Sequence, residues 1–175
     1  MSNHAYWTKG ITLIELMVTL AVLAILITIA APSFQTLIKS NQVAGANNEI
    51  IAMMHLARSE AIRRNPFEDP VTMILSEATT NGWQGAVFAP GEQEAEECPA
   101  DAIRCTNSRN VDLKQNLPIT LRFDNRGYSV NEDGAPEKVE LTLVHQDCQP
   151  NRRHARKITV LPGGQVSSEP IAGCQ

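Results

Sequence analysis

The sequence predicts an α+β fold, a long, kinked N-terminal α-helix packed on a C-terminal domain of antiparallel β-sheet. Three observations predict it. Ile11 to Ala31 is an apolar block of 21 residues in which Glu15 is the single charge. Beyond it, apolar residues continue to Ala61 at helical spacings. After Pro66 the pattern changes to short stretches with β-branched residues, divided by Gly, Pro, Asn and Asp.

A chain of 175 residues, 43% hydrophobic and 19% charged, is one domain-sized unit with an added segment. That balance excludes a multidomain enzyme, a collagen-like repeat and a fully disordered protein. Fifteen Lys and Arg against 19 Asp and Glu give a net charge of −4. Removing the first ten residues takes Lys9 and leaves −5. So acidic a chain is not drawn to phosphate without a local basic patch.

The apolar block is the added segment. At about 1.5 Å per residue it spans roughly 30 Å as a helix, which matches the hydrocarbon core of a bilayer, so membrane insertion is expected. A secretory signal would offer Thr28-Ile29-Ala30 as a cut site before Ala31, but its apolar region would be only about 7–15 residues long. A plain anchor explains the length and leaves Glu15 unexplained, because a carboxylate within an apolar helix costs about 2.5–3.5 kcal/mol on insertion scales.

Pro32 removes a helix hydrogen bond and predicts a bend. Past it, Phe34, Leu37, Ile38, Val43, Ala44, Ile50, Ile51, Met54, Ala57 and Ala61 alternate with Lys39, Asn47, Asn48, Glu49, Arg58 and Glu60. This amphipathic continuation, residues 32–65, should end at Asn65-Pro66, since the residue before a proline is driven out of the helical region. The whole helix would hold roughly 50 residues, about 75–80 Å if unbroken.

Residues 66–175 read as the β-rich domain. Strands are expected at Val71–Leu75, Gly85–Ala89, Ile119–Phe123, Tyr128–Val130, Glu140–His145 and Lys157–Leu161, with a return strand at Gln165–Ser167. Asp124-Asn125-Arg126-Gly127 and Pro162-Gly163-Gly164 are the turn signals. Gly91 to Thr106, with Glu92, Glu94, Glu96, Glu97 and Asp101 around Pro90 and Pro99, reads as an exposed acidic loop.

Cys98, Cys105, Cys148 and Cys174 lie beyond the apolar block and lack Cys-x-x-Cys spacing, which points to disulfides in an oxidising compartment. Cys98 and Cys105 are spaced to close a small ring, and Cys148, read as a strand end, would tether Cys174; four cysteines leave three connectivities open. No Gly-x-Ser-x-Gly elbow, phosphate loop, His-Glu-x-x-His helix or Rossmann glycine set occurs, so no enzymatic activity, cofactor or metal is expected. His145, Asp147, Cys148 and His154 can be drawn as a metal cluster, but a cysteine assigned to a disulfide argues against it. The run Asn151-Arg152-Arg153-His154-Ala155-Arg156-Lys157 is the one basic patch, and Arg152, Arg153, Arg156 and Lys157 are the residues that would contact nucleic acid.

Lys9-Gly10-Ile11-Thr12-Leu13-Ile14-Glu15-Leu16-Met17 resembles the type III signal of type IV prepilins and pseudopilins, with Ile11 in place of the usual Phe. The resemblance implies a pilin-like fold, a leader over residues 1–10, cleavage by a prepilin peptidase between Gly10 and Ile11, and N-methylation of Ile11. Residues 11–31 would be the membrane-spanning or filament-core half of the helix. Glu15 would face the N-terminal amine of a neighbouring subunit and set its register, a pairing far stronger in an apolar core than in water. Ala57-Arg58-Ser59-Glu60-Ala61, Leu121 to Gly127, and Ile158-Thr159-Val160 with Gly163-Gly164 further resemble the GspH/FimT-type (FimU-like) minor pilins and pseudopilins.

That resemblance implies an inner-membrane protein with a periplasmic domain, partnered by other minor pilins, the major pilin and the assembly platform, and acting in pilus assembly. It also implies two alternatives, a GspH-like pseudopilin of type II secretion and a FimT-like DNA receptor. For the latter, the Gly-Arg-x-Arg motif is replaced here by Gly164-Gln165-Val166-Ser167.

Overall fold

The computed structural model describes residues 10–65, 69–78, 82–91 and 102–174, without the side chains of residues 31 and 32. Helix α1, Leu13–Arg64, holds 52 residues, and Pro32 does not end it. The chain divides into two compact units, Met1–Leu37 and Ile38–Gln175. In the first, every large apolar side chain from Ile11 to Ile29 is 51–77% exposed. By length and composition α1 is long and apolar enough to cross a membrane.

Among the described residues the second unit carries nine strands. They are β1 Val71–Glu77, β2 Trp83–Phe88, β3 Arg104–Ser108, β4 Val111–Leu113, β5 Ile119–Phe123, β6 Ser129–Val130, β7 Val139–His145, β8 Ala155–Val160 and β9 Val166–Ile171. They form two antiparallel sheets rather than one, a five-stranded sheet in the order β3-β2-β1-β5-β6 and a four-stranded sheet in the order β4-β7-β8-β9. Two of these strands depart from the sequence reading. The expected acidic loop to Thr106 stops earlier, because Arg104 to Ser108 pairs along β2, with Ala86 opposite Cys105. Val111–Leu113 forms β4 against Leu143 to His145. The rest of the loop, residues 92–101, lies outside the described residues.

Strand parity explains the core. Val71, Met73 and Leu75 of β1, Trp83 and Val87 of β2, and Leu121 and Phe123 of β5 share one buried face. They join Leu141 and Leu143 of β7, Ile158 and Val160 of β8, and Ile50, Met53, Met54, Ala57 and Ala61 of α1 in a single cluster. The helix therefore closes the domain with the stripe that its spacing predicts. Gly85 lies inside β2 rather than at its start, since a β-carbon there would come within 2.9 Å of Leu75 and 3.0 Å of Met53. On the opposite face of the same sheet Ile74, Ala86 and Phe88 form a second small core with Ala102 and Cys105, which is why β1 is buried on both sides.

Candidate functional site

Gly10, Ile11 and Thr12 of the N-terminal motif are non-helical, and Lys9 with the rest of the expected leader, residues 1–9, lies outside the described residues. Among the described residues a β-carbon on Gly10 would meet nothing within 4 Å, and Ile11 is 77% exposed. Thr12 caps the helix. Its hydroxyl accepts from the Glu15 amide at 3.2 Å and its carbonyl accepts from the Leu16 amide at 3.1 Å. Glu15 thus stands in the first turn, where a carboxylate interacts favourably with the helix dipole. The sequence reading missed Thr12, although Thr-x-x-Glu ahead of an apolar run is the capping-box pattern.

At the domain end of α1, the three segments that resemble the GspH/FimT group converge. Arg58 Nη2 donates to the Gly163 carbonyl at 3.1 Å. A β-carbon on Gly127 would sit 3.0 Å from Arg58 Nε, and one on Gly164 would sit 1.9 Å from the Gly127 carbonyl oxygen. The Ser129 amide donates to the Pro162 carbonyl at 3.0 Å. Both glycines have positive φ, 78° and 72°, which L side chains resist. Asp124 shapes the first turn by accepting at Oδ1 from the amides of Arg126 and Tyr128 at 3.0 and 2.8 Å.

Cys148 and Cys174 are disulfide-bonded, with Cα atoms 5.8 Å apart. Cys148 does not end a strand. Strand β7 stops at His145, and the Cys148 amide donates back to the His145 carbonyl at 2.9 Å in a turn. Cys105 is also disulfide-bonded, whereas Cys98 lies outside the described residues.

The four residues drawn as a metal cluster are otherwise engaged. His145 Nε2 lies 2.8 Å from Gln42 Oε1, and His145 Nδ1 accepts from the Asp147 amide at 3.0 Å. His154 is fully buried, its ring 6.3 Å from that of His145. Among the described residues no three His, Cys, Asp or Glu side chains are grouped to hold a metal.

The basic run does not make one surface. Arg152 and Arg153 are exposed in the turn between β7 and β8. Arg156 and Lys157 then alternate across β8. Arg156 Nε donates to Ser168 Oγ at 3.3 Å, and that hydroxyl donates to Asn47 of α1 at 2.6 Å. Lys157 Nζ lies 2.8 Å from Glu140 on the other side. Lys138 and then Lys157 hold the Glu140 carboxyl down to about 2.

Two families match this chain. Residues 8–31 match the prokaryotic N-terminal methylation motif, and residues 46–164 match the family described as type II transport protein GspH. No curated protein and no solved structure matches it. The second match takes in the helix half that closes the core, both sheets as far as β8, and the Arg58 joint as far as Gly164. Since that match covers more than half of its length, the chain belongs to the GspH family, a pilin- or pseudopilin-type subunit with an N-methylation motif on its apolar helix.

Proposed function

We propose that this chain is a minor pilin that helps to prime or support assembly of a type IV pilus, inserted in the inner membrane by α1 with its domain in the periplasm. One observation carries the reading, namely that an exposed apolar helix half of membrane-spanning length follows the Gly10–Ile11 bond. Prepilin peptidase cuts that bond, Ile11 is N-methylated, and Glu15 takes the N-terminal amine of an adjacent subunit. Released from the leader, the helix exchanges lipid for neighbouring helices, and the low dielectric there strengthens the Glu15 pairing. A pseudopilus of type II secretion is the second reading, favoured by the description of the matched family. Both readings use the same processing and the same helix. A DNA receptor draws less support, because Arg156 and Lys157 face opposite sides of β8 and Lys157 is paired with Glu140.

The test is a strain lacking this chain, compared with its complemented parent. Loss of sheared surface pilin at normal total pilin supports the pilus reading. Normal piliation with loss of secreted enzymes transfers the role to a pseudopilus, and loss of transformation alone transfers it to DNA uptake. In the complemented strain, Glu15→Ala is expected to be processed yet poorly incorporated, whereas a bulky residue at position 10 leaves the uncut precursor.

A further inference from the structure

Between β7 and β8 the chain makes a turn, residues 146–153, that is stapled at two ends. The Cys148–Cys174 disulfide and the Gly173 amide, which donates to the Arg152 carbonyl at 3.4 Å, hold it to the C-terminal segment. Lys39 and Gln42 hold its other end to α1. Lys39 Nζ lies 3.4 Å from the Asp147 carboxylate and donates to the Asp147 carbonyl at 3.3 Å. His145 is the hinge of this contact. With Nδ1 accepting from the Asp147 amide, the ring proton sits on Nε2 and is donated to Gln42 Oε1. This geometry needs the neutral ring.

We infer that His145 is an acid-sensitive latch: neutral, it ties Gln42 of α1 to the backbone of the turn 146–153, and protonated, it releases that turn from the helix. A proton on Nδ1 removes the acceptor and sets two N–H groups against each other. The groups facing the ring are Lys39 from α1, Asp147 from the turn, His154 from its far end and Asp112 from β4. Burial first, then the Lys39 charge, holds His145 below its ordinary value of 6.5, while Asp147 and Asp112 pull it upward. For a lowered histidine the neutral fold is fully favoured above 6.5, and that advantage is lost as pH falls through the folded value. Glu60 and Glu140 titrate near 2 and stay charged throughout this window.

The test is amide hydrogen exchange of the full chain in detergent micelles, corrected for intrinsic rates, between about pH 7.5 and 5. Protection of the turn should fall roughly tenfold while β1 and β7 keep theirs. His145→Gln should abolish the pH dependence, and His55→Gln, an exposed histidine on α1, should not. Lys39→Gln should move the transition to higher pH and Asp147→Asn to lower pH, two shifts that keep the proposal testable if His145→Gln fails to fold. A flat profile, a transition that survives His145→Gln, or the opposite order of the Lys39 and Asp147 shifts would overturn the latch.

Discussion

Helix α1 has two halves that both carry large apolar side chains and have opposite fates. In residues 13–37 the large apolar side chains lie open, whereas in residues 38–64 Val43, Ile50, Met53, Met54, Ala57 and Ala61 are at most 1% exposed. The second half is satisfied within its own chain, by both sheets. In the first half the large apolar side chains of the described residues are exposed, and the helix is long and apolar enough to cross a membrane. Apolarity alone therefore does not say where a helix belongs. The polar residues between do, because Lys39, Asn47 and Arg58 reach the domain while the stretch from Leu16 to Ala31 has no charge at all.

The sharpest way to break this contrast is the same change in each half. Ile50→Asp buries a carboxylate among Met53, Leu75 and their neighbours, and should cost about 4–5 kcal/mol, enough to abolish a cooperative urea transition. Leu20→Asp should leave that transition where it is and instead reduce retention in membranes, by about 2.5–3.5 kcal/mol of insertion free energy. A shifted urea midpoint for Leu20→Asp would mean that the first half also supports the domain. Next in size is the C-terminal staple. Cys148→Ser with Cys174→Ser opens a loop with a sequence separation of 26, and the guanidinium midpoint should fall by an amount equivalent to about 3–4 kcal/mol. An unchanged midpoint would assign the fastening to the Gly173–Arg152 hydrogen bond alone.

Gly164→Ala drives a methyl to 1.9 Å from the Gly127 carbonyl at a φ of 72°. A loss of roughly 2–3 kcal/mol is expected by thermal unfolding, part from the left-handed backbone and part from moving the facing turn. The smallest effect concerns Glu140. Its carboxyl is held down to about 2, so the stability it lends is complete above 4.5 and fades as pH falls toward 2. Glu140→Gln should flatten the acid limb of the stability curve slightly, and equal acid limbs in the two proteins would show that the exposed pairs with Lys138 and Lys157 contribute nothing.

Most of this architecture is legible in the residues, and the exceptions share a cause. The helix stop at Arg64, the strands around Met73, Leu121, Leu143 and Ile158, and the turns at Asp124 and Gly163 carry their signals locally. Strand β3, Arg-Cys-Thr-Asn-Ser, has no apolar alternation and is a strand because β2 offers it a free edge. Strand β4 is three residues long, too short for any periodicity. At the site, the N-terminal motif is written contiguously and was found from the chain alone. The Arg58 joint was not, since its parts are far apart in sequence and meet through a carbonyl and two glycines, which have no side-chain signature. The basic run misleads for the converse reason, because two of its four cations lie in a turn and the other two, adjacent on a strand of period two, face opposite ways.

The closeness of the Gly127 and Gly164 turns has a consequence on the scale of lineages. With Arg58 lying against both and one carbonyl facing the space that a methyl would need, positions 58, 127 and 164 pack as a single unit. A larger residue at 127 needs the helix side chains of Ile62 and Arg58 to yield, and one at 164 needs the Gly127 turn itself to move. The drift of the three positions should therefore be concerted, even while the surrounding surface diverges freely.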